Sequence, residues 1–349
     1  MEVTRYREVL FSAVRTIFAV DSPSGYTRNV IELIRSMADE LGFAFETTRK
    51  GCGVITVEGR NSEKTVGLSA HVDTLGAMVR SVTAEGGLMF TPVGGPILPT
   101  LDGEYCKVLT RDGRIYTGTI LSLSPAVHVF PDSVTRTRDA DNMVVRIDEK
   151  VRSAGDVKNL GIQPGDYIFF DPKTVITPSG FLKSRFIDDK GSVACLMTLL
   201  KIMKEEKLTP AYRTKIFISV YEEVGHGAAY IPGEISELVA VDMGCIGLDL
   251  SCSEYQVSIC AKDSGGPYDY ELTSRLVNLA RENGVDYAVD IYPRYGSDVG
   301  AALGAGNDIC GALIGPGVHA SHGMERTHAE GMENTIRLVG LYLGLEKAE

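Results

Sequence analysis

The sequence predicts an α/β fold: a largely parallel central sheet flanked by helices, with an inserted small β-barrel-like domain. Three observations predict it. Apolar strand-like runs alternate with stretches of helical period in the first and last parts of the chain, as in a parallel sheet covered on both faces. From about Leu75 to Thr177 the helical period disappears, and short alternating runs separated by turn residues replace it. Polar residues, from His71 to His322, recur where the apolar runs end. At 349 residues the chain exceeds one ordinary core. Residues 1–74 and 178–349 are expected to form one α/β domain and 75–177 the insertion.

Taken in order, Val9, Ala13, Val14 and Ile17 recur at helical spacing. After the breaker Asp21-Ser22-Pro23-Ser24-Gly25, a second helix places Val30, Leu33, Ile34, Met37 and Leu41 on one face. Strand-like runs follow around Val54–Val57 and Val66–Ala70, separated by the polar turn Gly59-Arg60-Asn61-Ser62. Inside the insertion, Asp112-Gly113 sits between Val108-Leu109 and Ile115-Tyr116, and Pro164-Gly165-Asp166 precedes Tyr167-Ile168-Phe169-Phe170. Beyond it, a helix from Gly191 to Glu205 carries Val193, Leu196, Met197 and Leu200 on one face. Ile216–Val220, Leu238–Val241 and Ile309–Ile314 read as buried strands, with a helix over Tyr270–Asn283 between the last two. A final helix covers Glu330 to Glu346.

Composition narrows the function. Hydrophobic residues make up 44% and charged residues 23%, the balance of a folded globular chain. Thirty-five basic against 46 acidic residues leave a formal charge of -11, which argues against nucleic acid or an anionic membrane as partner. The seven cysteines are scattered without a C-x-x-C pair, and several, Cys195 and Cys310 among them, sit in apolar runs. They are expected to be reduced and buried. The acidic start Met1-Glu2-Val3 lacks the apolar stretch of a signal peptide, and no apolar run approaches the ~20 residues that span a bilayer. The expected location is the cytoplasm.

The chemistry lies in five clusters: Ser69-Ala70-His71-Val72-Asp73, Asp188-Asp189-Lys190-Gly191, Glu222-Glu223, Asp242, and the stretch from His319 to His322. Each is ordinary alone. A His-x-Asp pair caps surfaces, Asp188-Asp189 can cap the helix after it, and Glu222-Glu223 can be solvated. Together they fall at the carboxyl ends of strands or the start of a helix, where ligands bind in open α/β sheets. One imidazole, three carboxylates and a second imidazole make a ligand set for two divalent ions, a pair suited to hydrolysing an acyl or phosphoryl bond. In this assignment His71 and Asp242 terminate one ion, Glu223 and His322 the other, and Asp188 bridges them. Asp73 accepts the ring N–H of His71 and fixes its tautomer. Glu222, beside a ligand but spare, is the general base, with a bridging hydroxide as nucleophile. His to carboxylate ligation suits zinc, cobalt or manganese.

The chain resembles the M42 family of metallo-aminopeptidases, in the clan that includes the M18, M20 and M28 exopeptidases. The likeness runs through Pro23-Ser24-Gly25, Ala70-His71-Val72-Asp73 with Gly76 and Met78-Val79, and Gly161-Ile162-Gln163-Pro164-Gly165-Asp166. It continues in Asp188-Asp189-Lys190-Gly191, Glu222-Glu223-Val224-Gly225, Val241-Asp242 and Gly296-Ser297-Asp298. The resemblance implies a zinc-exopeptidase-like fold, a dinuclear zinc or cobalt site, and release of N-terminal residues from peptides. It also implies a homo-oligomer, often a dodecamer built from dimers. The chain departs from the family in having Thr74 where an acid is usual, and in lacking Arg-Tyr before the last ligand histidine. The register His-x-x-Glu ending at Glu325 selects His322 over His319. Asp298, Lys262 and Arg294 are candidate substrate contacts, the two cations for acidic side chains, although solvated surface charge is the simpler reading of Lys262 and Arg294. A deacylase or carboxypeptidase on the same scaffold is the rival reading, and a non-catalytic peptide-binding or assembly protein a further one. The second would be marked by a lost ligand or base, and none is missing.

Overall fold

A computed structural model describes residues 2–347, which divide into two compact units, 2–74 with 173–347 and 75–172. The first is built on a sheet whose strands run Ala44–Thr47, Gly53–Val57, Tyr212–Ser219, Asn61–His71, Ile235–Val241, Cys310–Val318, Val257–Lys262 and Tyr287–Ile291. The short strand Gly244–Cys245 also pairs with Cys310–Val318. The middle of the sheet is parallel: Tyr212–Ser219, Asn61–His71, Ile235–Val241 and Cys310–Val318 pair side by side in one direction. Antiparallel pairings lie outside them. Parallel strands are buried on both faces, which is why the last seven residues of Asn61–His71 are all buried and its sequence is continuous rather than alternating.

Helices cover the sheet. Arg28–Leu41 buries Val30, Ile31, Ile34 and Ala38 and stops at Gly42, whose φ of +80° ends the helix in a left-handed turn. The helix Ile187–Glu206 contains Asp188 and Asp189 with non-helical backbone and a cis peptide bond between them, so regular helix begins after the pair. It was expected to bury one face. Every residue from Ile187 to Leu200 is buried instead, because Arg7–Phe18, Arg28–Leu41 and Ala329–Tyr342 pack around it. The final helix ends at Tyr342, four residues earlier than its apolar spacing predicts, where Gly344 takes φ +58°.

The second unit holds a closed barrel of Gly76–Val82, Leu88–Val93, Met143–Ile147, Ile115–Ser122, Tyr105–Leu109 and Tyr167–Phe170. Leu88, Phe90, Val108, Ile120, Val145 and Ile168, all fully buried, fill the interior. All seven cysteines are free, and Cys195 is buried as expected. Cys310 is exposed, contrary to the sequence reading, since it opens its strand at the end away from the core.

One close approach fixes the carboxyl edge of the sheet. Asp242 N–H donates to Ile314 O at 2.9 Å, and a Cβ added at Gly315 would fall 1.3 Å from Asp242 O. Only glycine lets the strands meet there. Gly315→Ala is expected to lower stability by about 1–3 kcal/mol, read as a fall in the thermal midpoint. Gly304→Ala, whose Cβ meets nothing within 4 Å, is the matched control and does not lower the midpoint.

Candidate active site

Because the four central strands run parallel, their carboxyl ends open on one edge. His71 is the last residue of its strand, Glu222 and Glu223 follow the strand ending at Ser219, and Asp242 follows Val241. Asp188 and Asp189 enter from the start of the buried helix, and His322 from the turn after Val318. Residues far apart in sequence thus meet on one rim.

Asp188 is the centre of the cluster. Its Oδ1 lies 3.0 Å from His71 Nε2, and its Oδ2 lies 3.5 Å from His322 Nε2 and 3.2 Å from Ser321 Oγ. Glu223 Oε2 lies 3.6 Å from His322 Nε2, and Glu222 Oε2 lies 3.6 Å from His71 Nε2. Two sets of ligand atoms fall within 4.8 Å of one another: His71 with Asp188 and Glu223, and His71 with Asp189 and Asp242. Asp189, which the sequence reading passed over, also accepts the His71 backbone N–H through Oδ2 at 3.1 Å. His319 stands apart, exposed, with its backbone bonded to Arg326.

Supporting groups aim these side chains. His71 Nδ1 lies 3.0 Å from the backbone carbonyl of Asp73, nearer than the 3.6 Å to its carboxylate, so the main chain rather than the side chain is the closer partner expected at Asp73. A carbonyl only accepts, which places a proton on Nδ1 and directs Nε2 to the cluster. The Asp73 carboxylate instead takes the Ser24 hydroxyl and, at 3.2 Å, the Glu222 backbone N–H. Glu325 accepts the backbone N–H groups of Asp188 and His322, each at 3.0 Å. That explains the His-x-x-Glu spacing, for the acid holds the histidine's turn, in which His322 takes φ +63°.

Asp298 does not present a free carboxylate to substrate: it is 3% exposed, and its oxygens take Ser219 Oγ at 2.7 Å and Ala228 N–H at 2.9 Å. Lys262 and Arg294 are exposed, and Lys262 Nζ donates to the carbonyl of Asp263. Neither cation enters the cluster. Tyr295 was not foreseen; its hydroxyl donates to Met243 O at 3.0 Å, next to Asp242.

So many acids in one buried place perturb one another. Burial pushes the carboxyls of Glu222, Glu223 and Asp189 well up, and their acidic neighbours push further. Asp242 rises to about 7 and Glu325 to about 8, in both cases through burial and then the charge of Asp188. Burial also opposes charge on Asp188 and His71. Hydrogen bonds from His322 and His71 override it and hold Asp188 low, while Glu222, Asp188, Asp242 and Asp189 raise His71 well above its usual value.

The residues fit divalent ions. Tetrahedral ligation at about 2.0–2.2 Å sets neighbouring donor atoms about 3.3–3.6 Å apart, and the histidine–carboxylate separations here are 3.0, 3.5 and 3.6 Å. Glu223 Oε1 and Asp189 Oδ1 are buried without a hydrogen-bond partner among the described residues. Orphaned carboxylate oxygens in such a setting call for cations.

The M42 glutamyl aminopeptidase family matches residues 51–338. "Putative aminopeptidase YhfE" of Bacillus subtilis (strain 168) is 44% identical over 331 residues, 95% of this chain and 96% of that protein. Among solved structures, an aminopeptidase from Desulfurococcus kamchatkensis superposes with a TM-score of 0.86 at 18% identity, covering 97% of this chain and 95% of that one. The TET1 peptidase of Pyrococcus horikoshii, described as able to assemble into a tetrahedron or a large octahedral shell, gives 0.81 at 21%, covering 96% and 99%. Fold and comparisons define a peptidase. The chain belongs to the M42 family of aminopeptidases, which is metal-dependent.

The two histidines separate cleanly by substitution. His322→Ala is expected to weaken metal binding, measured by elemental analysis after dialysis, whereas His319→Ala retains the metal content of the parent.

Proposed function

We propose that this chain is a dinuclear aminopeptidase that releases N-terminal residues from short peptides. His71, Asp188, Glu223, Asp242 and His322 hold two divalent ions, zinc or cobalt, and Glu222 is the general base. The observation that carries the reading is Asp188, whose two oxygens each address a different histidine, at 3.0 and 3.5 Å. A carboxylate between two terminal sets is what a two-ion hydrolytic site requires. When bound, the ions supply Lewis acidity toward the scissile carbonyl and lower the pKa of water toward neutrality.

Protein groups do the rest. Glu222 Oε2 stands beside the ligand atoms, 3.6 Å from His71 Nε2. That position, beside the atoms that would hold the ions, suits a group that takes a proton from the attacking water and returns it to the leaving amine. Asp73 O keeps the His71 ring in the orientation that points Nε2 inward. Recognition of a free α-amine at this rim fixes the cut after the first residue.

The seven free thiols favour a reducing compartment, so we place the protein in the cytoplasm. Among the described residues no helix is long and apolar enough to cross a membrane. The assembly of the Pyrococcus horikoshii relative favours a homo-oligomer, and a dodecamer built from dimers is the form we expect.

Glu222→Gln keeps the shape and loses the base. It is expected to cost about two to four orders of magnitude in kcat with metal content unchanged; an active variant would remove Glu222 from this role. A timed digest read by mass spectrometry tests the reaction. A short peptide should lose residues singly from its N-terminus, and its N-acetylated form should be turned over far more slowly. Trimming from the C-terminus would make the enzyme a carboxypeptidase, and preference for the acylated compound a deacylase.

A further inference from the structure

The segment that carries Glu222 and Glu223 leaves the sheet at Ser219 and settles again at Ala228, and both ends meet on one carboxylate. Ser219 Oγ donates to Asp298 Oδ2 at 2.7 Å, and Ala228 N–H donates to Asp298 Oδ1 at 2.9 Å. Ser219 and Ala228 are fully buried, and Asp298 is 3% exposed, so water does not replace these bonds readily.

The segment has no slack against this clamp. A Cβ placed on Gly227 would lie 2.4 Å from Asp298 Oδ1, 3.0 Å from Ser219 Oγ and 3.1 Å from Glu222 Cα. The backbone of Glu222 thus rests on the same glycine that touches the carboxylate. Midway along, the Glu222 N–H is held by Asp73 Oδ1 at 3.2 Å, and from outside Lys50 Nζ donates to the carbonyls of His226 and Gly227. Tyr221, just before Glu222, holds φ +137°, a conformation a non-glycine residue keeps only where its flanks are fixed.

We propose that Asp298 is a positioning residue for the aminopeptidase reaction, tying Ser219 to Ala228 and thereby setting where the Glu222 carboxylate stands. Asp298 touches neither substrate nor ligand atoms; it acts through the backbone. The proposal rests on the reading of Glu222 as general base. A displacement of about 1 Å in a reacting group can cost about 100-fold in rate, so the effect falls on kcat.

The test compares Ser219→Ala, which removes one tie, Asp298→Asn, which keeps the shape but weakens one tie, and Asp298→Ala, which removes both. Each is assayed at saturating metal with kcat and KM determined separately. Asp298→Ala should lose about 10- to 100-fold in kcat with KM within about twofold, and Asp298→Asn and Ser219→Ala should fall between it and the parent. Gly227→Ala should lower kcat by itself, and it should cost less when added to Asp298→Ala, because the 2.4 Å contact is then gone. If Asp298→Ala does not fold, Ser219→Ala, Asp298→Asn and Gly227→Ala carry the comparison. Unchanged kcat across these variants, a rise in KM alone, or strict additivity with Gly227→Ala overturns the proposal. Glu222→Gln distinguishes the two failures: if it stays active the base assignment is wrong, whereas if it is inactive while the Asp298 variants keep full kcat, only the positioning role falls.

Discussion

The structure is organised around the cost of burying many carboxylates together. Asp73, Asp188, Asp189, Asp242, Asp298 and Glu325 are all buried, with Glu222 and Glu223 nearly so, and His71 and His322 are the facing bases. Removing one ionised carboxylate from water costs several kcal/mol even after relaxation, and a whole domain has a net stability of only about 5–15 kcal/mol. The cluster therefore has to be neutralised, by protons or by cations. The upward shifts of Asp242 and Glu325 are the protonic answer, and the orphaned oxygens of Asp189 and Glu223 point to the cationic one.

Holding such groups in place demands a scaffold that does not yield. The four parallel strands supply it, since each is hydrogen-bonded on both sides and buried on both faces. His71 and Asp242 sit on neighbouring strands, so their separation is set by the sheet, and Gly315 lets the next strand close against Asp242. The two acids that enter from the helix are fixed by burial of everything after them, from Lys190 to Leu200. Like charges that would drift apart on a surface are kept together by packing.

How much of this was legible follows the same physics. The central strands announce themselves because burial on both faces requires unbroken apolar runs, as in Val66–Ala70 and Leu238–Val241. The outer pair Val257–Lys262 and Tyr287–Ile291 escaped notice, since the first is broken by Ser258 and the second alternates exposed and buried residues at a sheet edge. The convergence of His71, Asp188, Glu222, Glu223, Asp242 and His322 was legible because chemistry restricts which residue types can end such strands together. Asp189 was hidden beside a neighbour that reads as a helix cap. The partners of Asp298, Ser219 and Ala228, were not legible, since they are seventy residues or more distant and tertiary proximity leaves no local mark.

Asp73 and Asp298 suggest a division among the acids. Each gives at least one oxygen to the Glu222–Glu223 segment or its flanks, Asp73 taking the Ser24 hydroxyl with the other, and neither places an oxygen in the two compact ligand sets. Fixing a base through its backbone has a specific advantage. A general base must take a proton at one atom and deliver it to another, so its side chain needs freedom at the last torsions while its Cα stays put. Packing around the carboxylate would lock both together. Hydrogen bonds at Ser219, Glu222 and Ala228 hold the segment without engaging the Glu222 carboxylate, which, in the role proposed for it, would then keep its last torsions free.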